Sequence, residues 1–130
     1  STPGYFTDCI DHMTGGSKTK LTELAFYNTL YKEAVQKLRE GLFGDLGKNH
    51  EKAADAIDDY VTDEFLKRYT ADHLEYPKIY HDAMEAFLYK EAVDLLRQNK
   101  LGVLLNSKEM ANMIESWVRK EFLNRKFTIK

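Results

Sequence analysis

The segment Leu30-Tyr31-Lys32-Glu33-Ala34-Val35 returns letter for letter as Leu88-Tyr89-Lys90-Glu91-Ala92-Val93. At the same spacing Leu38, Arg39, Gly44 and Leu46 match Leu96, Arg97, Gly102 and Leu104, giving ten identities over the 17 positions from Leu30 to Leu46. The spacing then shortens by one residue. Asn49, Ile57, Val61, Glu64, Phe65, Leu66 and Arg68 match Asn106, Ile114, Val118, Glu121, Phe122, Leu123 and Arg125, and Tyr60 matches Trp117 as one aromatic for another. The slip falls between Leu46 and Asn49, in a glycine-containing stretch where a loop absorbs it. A repeat constrains the architecture before any other feature does. Two copies that each carry an apolar face must bury those faces against one another.

Each copy reads as helix, loop, helix. Leu24, Tyr27, Tyr31, Ala34, Leu38 and Leu42 step by three and four, the spacing of one helical face. Gly41 and Gly44 end this helix, because glycine accepts the left-handed C-terminal conformation. Asn49 is a good N-cap for the second helix, whose buried stripe is Ala54, Ile57, Val61 and Phe65. In the second copy Pro77 sets the start, Asn99 and Gly102 set the stop, and Asn106 with Glu109 makes a capping box for the last helix. Met110, Met113 or Ile114, Trp117, and Glu121 or Phe122 carry that helix's buried face. The charged Glu91 marks an exposed edge of the third helix. The pattern predicts helices near 20–40, 50–69, 78–99 and 107–126.

The expected fold class is therefore all-α: four main helices from a tandem duplication of a helix-loop-helix unit, packed as a pseudo-twofold helical bundle. Residues 1–20 read as a flexible N-terminal arm, residues 21–126 as a single helical domain with repeats at about 21–70 and 78–126, and residues 127–130 as a tail. In the arm, turn chemistry at Ser1-Thr2-Pro3-Gly4 and Thr14-Gly15-Gly16-Ser17 brackets Tyr5, Phe6, Ile10 and Met13, which can dock on the bundle.

Composition narrows the function classes. A chain of 130 residues with 43% apolar and 31% charged residues is one soluble domain's worth. Its net charge of −2 excludes a uniformly basic nucleic-acid binder. The single Cys9 excludes an intrachain disulfide framework and points to a reducing compartment, so a cytoplasmic location is expected. No apolar run approaches the roughly 18 residues of a membrane span, and no membrane association is expected.

Four constellations stand out. Glu64 with Arg68 and Glu121 with Arg125 are acid–base pairs four residues apart, reused in both copies. They read as helix-linking salt bridges that also involve Arg39 and Arg97 or Glu33 and Glu91. Asp55, Asp59 and Asp63 line one side of the second helix and read as a solvated or partner-docking face, without the glycine-containing loop of a calcium site. From Trp117 onward Arg119, Lys120, Arg125, Lys126 and Lys130 face only Glu121, a net of +4. Tyr76, Tyr80 and Tyr89 cluster near the start of the second copy, and tyrosine is favoured where one end is dry and the other wet.

Histidines at 12, 50, 73 and 81 have no metal-pair spacing, and Cys9 with His12 is only half of a zinc set. No phosphate loop, nucleophile elbow or zinc-protease motif occurs. No catalytic residue, cofactor site or metal site is assigned. The expected function is a non-enzymatic protein–protein interaction or regulatory helical module, self-association included. Its candidate partner-binding residues are Tyr76, Tyr80, Tyr89, Asp55, Asp59, Asp63, Arg119, Lys120 and Arg125. The partner is a protein or a second copy. One alternative is a nucleic-acid-associated regulator using the basic C-terminal helix. A second is a small-ligand or enzymatic site between the two repeats, which a pocket lined by Glu33, Arg39, Glu91 and Arg97 would favour.

Overall fold

The computed structural model describes residues 18–70 and 75–125. Four helices account for most of them: α1 (Lys18–Arg39), α2 (His50–Arg68), α3 (Ile79–Arg97) and α4 (Ser107–Asn124). No strand occurs among the described residues. Each boundary lies within two residues of its expected place. Residues 18–20, given above to the N-terminal arm, are helical. The rest of that arm and the tail at 127–130 lie outside the described residues.

The helix ends follow from the residues placed there. Asn49 Oδ1 accepts from the backbone N–H of Lys52 at 2.9 Å, and Asn106 Oδ1 accepts from that of Glu109 at 2.9 Å. These satisfy donors that a helix start leaves unpaired. Glu109 reaches back to accept from the Leu105 N–H at 2.9 Å. At the other end, α1 closes with Leu42 N–H to Lys37 O at 2.9 Å and Gly41 N–H to Leu38 O at 3.1 Å. α3 closes in the same way, with Lys100 N–H to Leu95 O and Asn99 N–H to Leu96 O at 2.8 and 3.0 Å. Both turns need a left-handed residue, supplied by Gly41 at φ +73° and Asn99 at φ +58°. Leu42 therefore sits past the turn and is 61% exposed, not in the buried stripe the spacing placed it in.

α1 and α3 form the centre, side by side. Leu30, Ala34 and Leu38 of α1, and Leu88, Ala92 and Leu96 of α3, are all fully buried. The Tyr31 and Tyr89 rings stack at 6.0 Å and 3°. α2 packs on both central helices through Ala53, Ala54, Ile57 and Val61. α4 does so through Met110, Ala111, Ile114 and Val118, and α2 and α4 barely touch. Trp117 and Phe122, expected in the core, are half-buried at its margin, as are Tyr60 and Phe65. The two connections α1–α2 and α3–α4 lie at one end, where buried His50 of α2 meets the Leu104 carbonyl at 3.0 Å. Leu46, Leu101 and Leu104 anchor these connections in the core.

Ion pairs tie the members of each hairpin. Arg68 of α2 grips Glu33 of α1 with two nitrogens, at 2.7 and 3.1 Å, and reaches Glu64 at 3.3 Å. Arg125, just past α4, holds Glu91 of α3 at 2.8 Å and Glu121 at 3.0 Å. The hydrogen bonds from Arg68 above all, opposed by partial burial and assisted by the Tyr60 hydroxyl, hold the Glu33 carboxyl below its ordinary value of 4.5. A carboxylate depressed by folding stabilises above its unfolded pKa, and that contribution is lost as pH falls through the folded one. Glu33→Gln should therefore be less stable than wild type at neutral pH. Its stability should also fall less steeply than wild type's between about pH 5 and about pH 3 in urea melts. Gly41→Ala should cost about 1 kcal/mol from its positive φ, whereas Asn99→Gly should cost nothing.

Candidate functional site

Two arginines matched by the repeat bridge the hairpins, and they do so with different partners. Arg39 of α1 bonds Asn112 Oδ1 of α4 at 3.0 Å, Gln36 of its own helix, and Glu115 of α4. Arg97 of α3 bonds Asp55 Oδ1 and Asp58 Oδ2 of α2 at 2.9 and 2.6 Å, and Asp94 of its own helix at 3.3 Å. Asp55, Asp58 and Asp94 are the repeat's counterparts of Asn112, Glu115 and Gln36. One guanidinium thus serves one carboxylate and two amides in the first case, and three carboxylates in the second.

Beside Arg97 lies a cleft of about 560 Å³ between α1, α2 and α3. α1 contributes Lys20, Glu23, Leu24, Tyr27 and Tyr31; α2 contributes Asp58, Val61 and Thr62; α3 contributes Ala86, Phe87, Lys90 and Asp94. Two aromatic stacks fix its walls. Tyr27 lies on Phe65 at 4.3 Å and 6°, and Tyr31 lies on Tyr89.

The matching positions on the other side of the seam are filled differently. Asn28 and Glu85 are the counterparts of Ala86 and Tyr27, and there the Asn28 amide donates to Glu85 at 3.0 Å while Lys32 pairs with the same carboxylate at 3.0 Å. Ala86 removes the amide and Tyr27 removes the carboxylate. Lys90, the counterpart of Lys32, stands at the cleft without that partner. Three acids, Glu23, Asp58 and Asp94, and two lysines, Lys20 and Lys90, stand among its lining residues. Burial, with Asp58 and Asp94 adding and Arg97 opposing, pushes the Tyr31 hydroxyl far up, and partial burial with Glu23 raises that of Tyr27.

The sequence-predicted residues scatter. Tyr89 is buried in the centre, where burial pushes its hydroxyl up to about 12, so it is not part of an exposed tyrosine face. Tyr76 is half-buried and hydrogen-bonded to Thr29, and Tyr80 packs half-buried near Leu21 and Met84. Asp55, Asp59 and Asp63 are all exposed, and Asp55 is in addition held by Arg97. Arg125 is held by Glu91 and Glu121, while Arg119 and Lys120 are exposed. Glu33, Arg39, Glu91 and Arg97 do not line one pocket; each belongs to a separate clamp. Cys9, His12 and His73 lie outside the described residues.

His81, Asp82 and Glu85 bring three ligand atoms within 4.8 Å of one another. Lys32 and Asn28 already bind the Glu85 carboxylate, so the group is accounted for as a polar link between α1 and α3.

One feature had no signal in the periodicity. Leu42, Val103 and Leu105, in the two connections at one end, are 61%, 87% and 49% exposed. Leu66 and Leu123, counterparts in the repeat, are exposed near the ends of α2 and α4. No described helix is long and apolar enough to cross a membrane.

The two arginine clamps predict unequal effects of charge removal. Arg97→Gln leaves three partly exposed carboxylates facing one another and should destabilise by about 1 kcal/mol, partly recovered by added salt. Arg39→Gln strands one and should show a weaker salt response in thermal melts. Comparison with family models, curated proteins and solved structures finds no match to this chain.

Proposed function

We propose that the chain is a non-enzymatic interaction module, a duplicated helix-loop-helix unit with an approximate internal twofold axis, that docks a protein partner through its connecting loops. The observation that carries the reading is the apolar surface at that end: Leu42, Val103 and Leu105 exposed on loops whose neighbours Leu46, Leu101 and Leu104 are buried anchors. Single exposed apolar residues are ordinary, but several on one anchored surface mark an interaction site. The duplication is supported by matched roles. Counterparts Leu30 and Leu88, Ile57 and Ile114, and Val61 and Val118 are buried alike. The clamps Arg68–Glu33 and Arg125–Glu91 also join counterparts. Such a partner includes a second copy of this chain.

The nucleic-acid reading has less support, because Arg125 is committed to two carboxylates and only Arg119 and Lys120 remain exposed among the described basic residues after Trp117. Light scattering across a concentration series tests the module. Self-association, or capture of a partner, should be lost in Val103→Asp/Leu105→Asp with helicity unchanged. A strict monomer that captures no partner, or a double variant that associates like wild type, would sink the reading.

A further inference from the structure

The excess of acid around Arg97 is unexplained by the clamp it forms. Arg39 makes the equivalent bridge between hairpins with Glu115, Asn112 and Gln36, so one carboxylate suffices for it. The two additional carboxylates at Arg97 act against folding, since like charges held together repel. Two of the three acids, Asp58 and Asp94, line the cleft. Arg97 takes one oxygen of each, Oδ2 of Asp58 and Oδ1 of Asp94, leaving the other to accept from elsewhere.

The lining also supplies what a hydrated metal ion does not need and an organic cation does. Tyr27, Tyr31 and Phe87 line the cleft with the acids, and aromatic faces attract ammonium groups through the ring quadrupole. A volume of about 560 Å³ falls within the range of small-molecule sites. The charge around the cleft is still negative when its cations are counted. Lys20 is paired with Glu23 at 3.6 Å, and Lys90 offsets only one of the two charges that Asp55, Asp58 and Asp94 hold in excess of Arg97.

We propose that this cleft is a binding site for a small organic ammonium ion, its charge toward Asp58 and Asp94 and its apolar body against Tyr27, Tyr31 and Phe87. Burial first, and the nearby carboxylates Glu23, Asp58 and Asp94 second, raise the Tyr27 and Tyr31 hydroxyls, so both stay protonated beside a bound cation. The site is separate from the loop-end surface, and neither depends on the other. Both copies of the repeat build it, since α1 and α2 come from one and α3 from the other.

The test is a titration with benzyltrimethylammonium, and with phenylacetate as the anion of similar size, at constant ionic strength. It is followed by the ring resonances of Tyr27, Tyr31 and Phe87. The ammonium should shift these rings saturably in the millimolar range, and phenylacetate should not. The decisive variant is Asp55→Asn/Asp94→Gln, which copies the Arg39 arrangement onto Arg97. It should keep the wild-type melting temperature or exceed it, and bind the ammonium about tenfold more weakly. The proposal is overturned if phenylacetate binds as well as the ammonium, if no saturable shift occurs by about 50 mM, or if the folded double variant binds like wild type. The two probe titrations on the wild-type chain decide the matter even if the variant does not fold.

Discussion

Burial of the α1–α3 seam is the interaction on which the rest depends. Leu30, Ala34 and Leu38 meet Leu88, Ala92 and Leu96 with no exposed surface on any of them. A fully buried leucine contributes about 2 kcal/mol, whereas a partly exposed ion pair contributes about 0–1 kcal/mol. The seam therefore supplies stability and the arginines supply alignment. α2 and α4 barely meet, so each is held mainly by the central pair and by its clamp to it. Without the seam neither outer helix has a surface to bury against.

Alignment is where the polar residues act. Arg68 and Arg125 close each hairpin on itself, and Arg39 and Arg97 tie each hairpin to the other. A slip of one turn along the seam would move Arg97 about 5 Å from Asp55 and Asp58 and strand all three charges. Hydrophobic packing alone tolerates such a slip better, because leucine and alanine recur along both faces. The clamps thus select one register among several that the apolar pattern allows.

That division explains how much was legible from the residues. Helix positions, both asparagine caps and the buried stripe were readable, because each depends on neighbours within four residues or on the helical period. Tyr89 was misread, because the same period that gives a face cannot say whether a tyrosine on it meets solvent or Tyr31. Leu42 was misread because the left-handed turn at Gly41 ends the helical period one residue before it. Asp55 is exposed with the rest of its row, but its pairing with Arg97, 42 residues away in sequence, was not readable because it depends on the seam. The cleft had no local signal at all. Its lining comes from three helices, and residues such as Ala86 and Tyr27 do not stand out on their own.

Many positions that match between the two halves of the sequence hold the fold, Leu30 with Leu88 and Ile57 with Ile114 among them, and several that differ line the cleft. Asn28 against Ala86, Glu85 against Tyr27, and Gln36 against Asp94 each pair a residue used for internal bonding with one that faces the cleft. At these three pairs a polar residue is matched by a small or aromatic group, or a neutral amide by a carboxylate. Ala86, Tyr27 and Asp94 meet at one cavity between α1, α2 and α3, next to an arginine whose own bridging needs fewer acids than surround it. The seam can carry that cost, because its buried leucines and alanines contribute more than the clamp beside them. The cleft is therefore a place where the residues present exceed what bridging α2 to α3 requires.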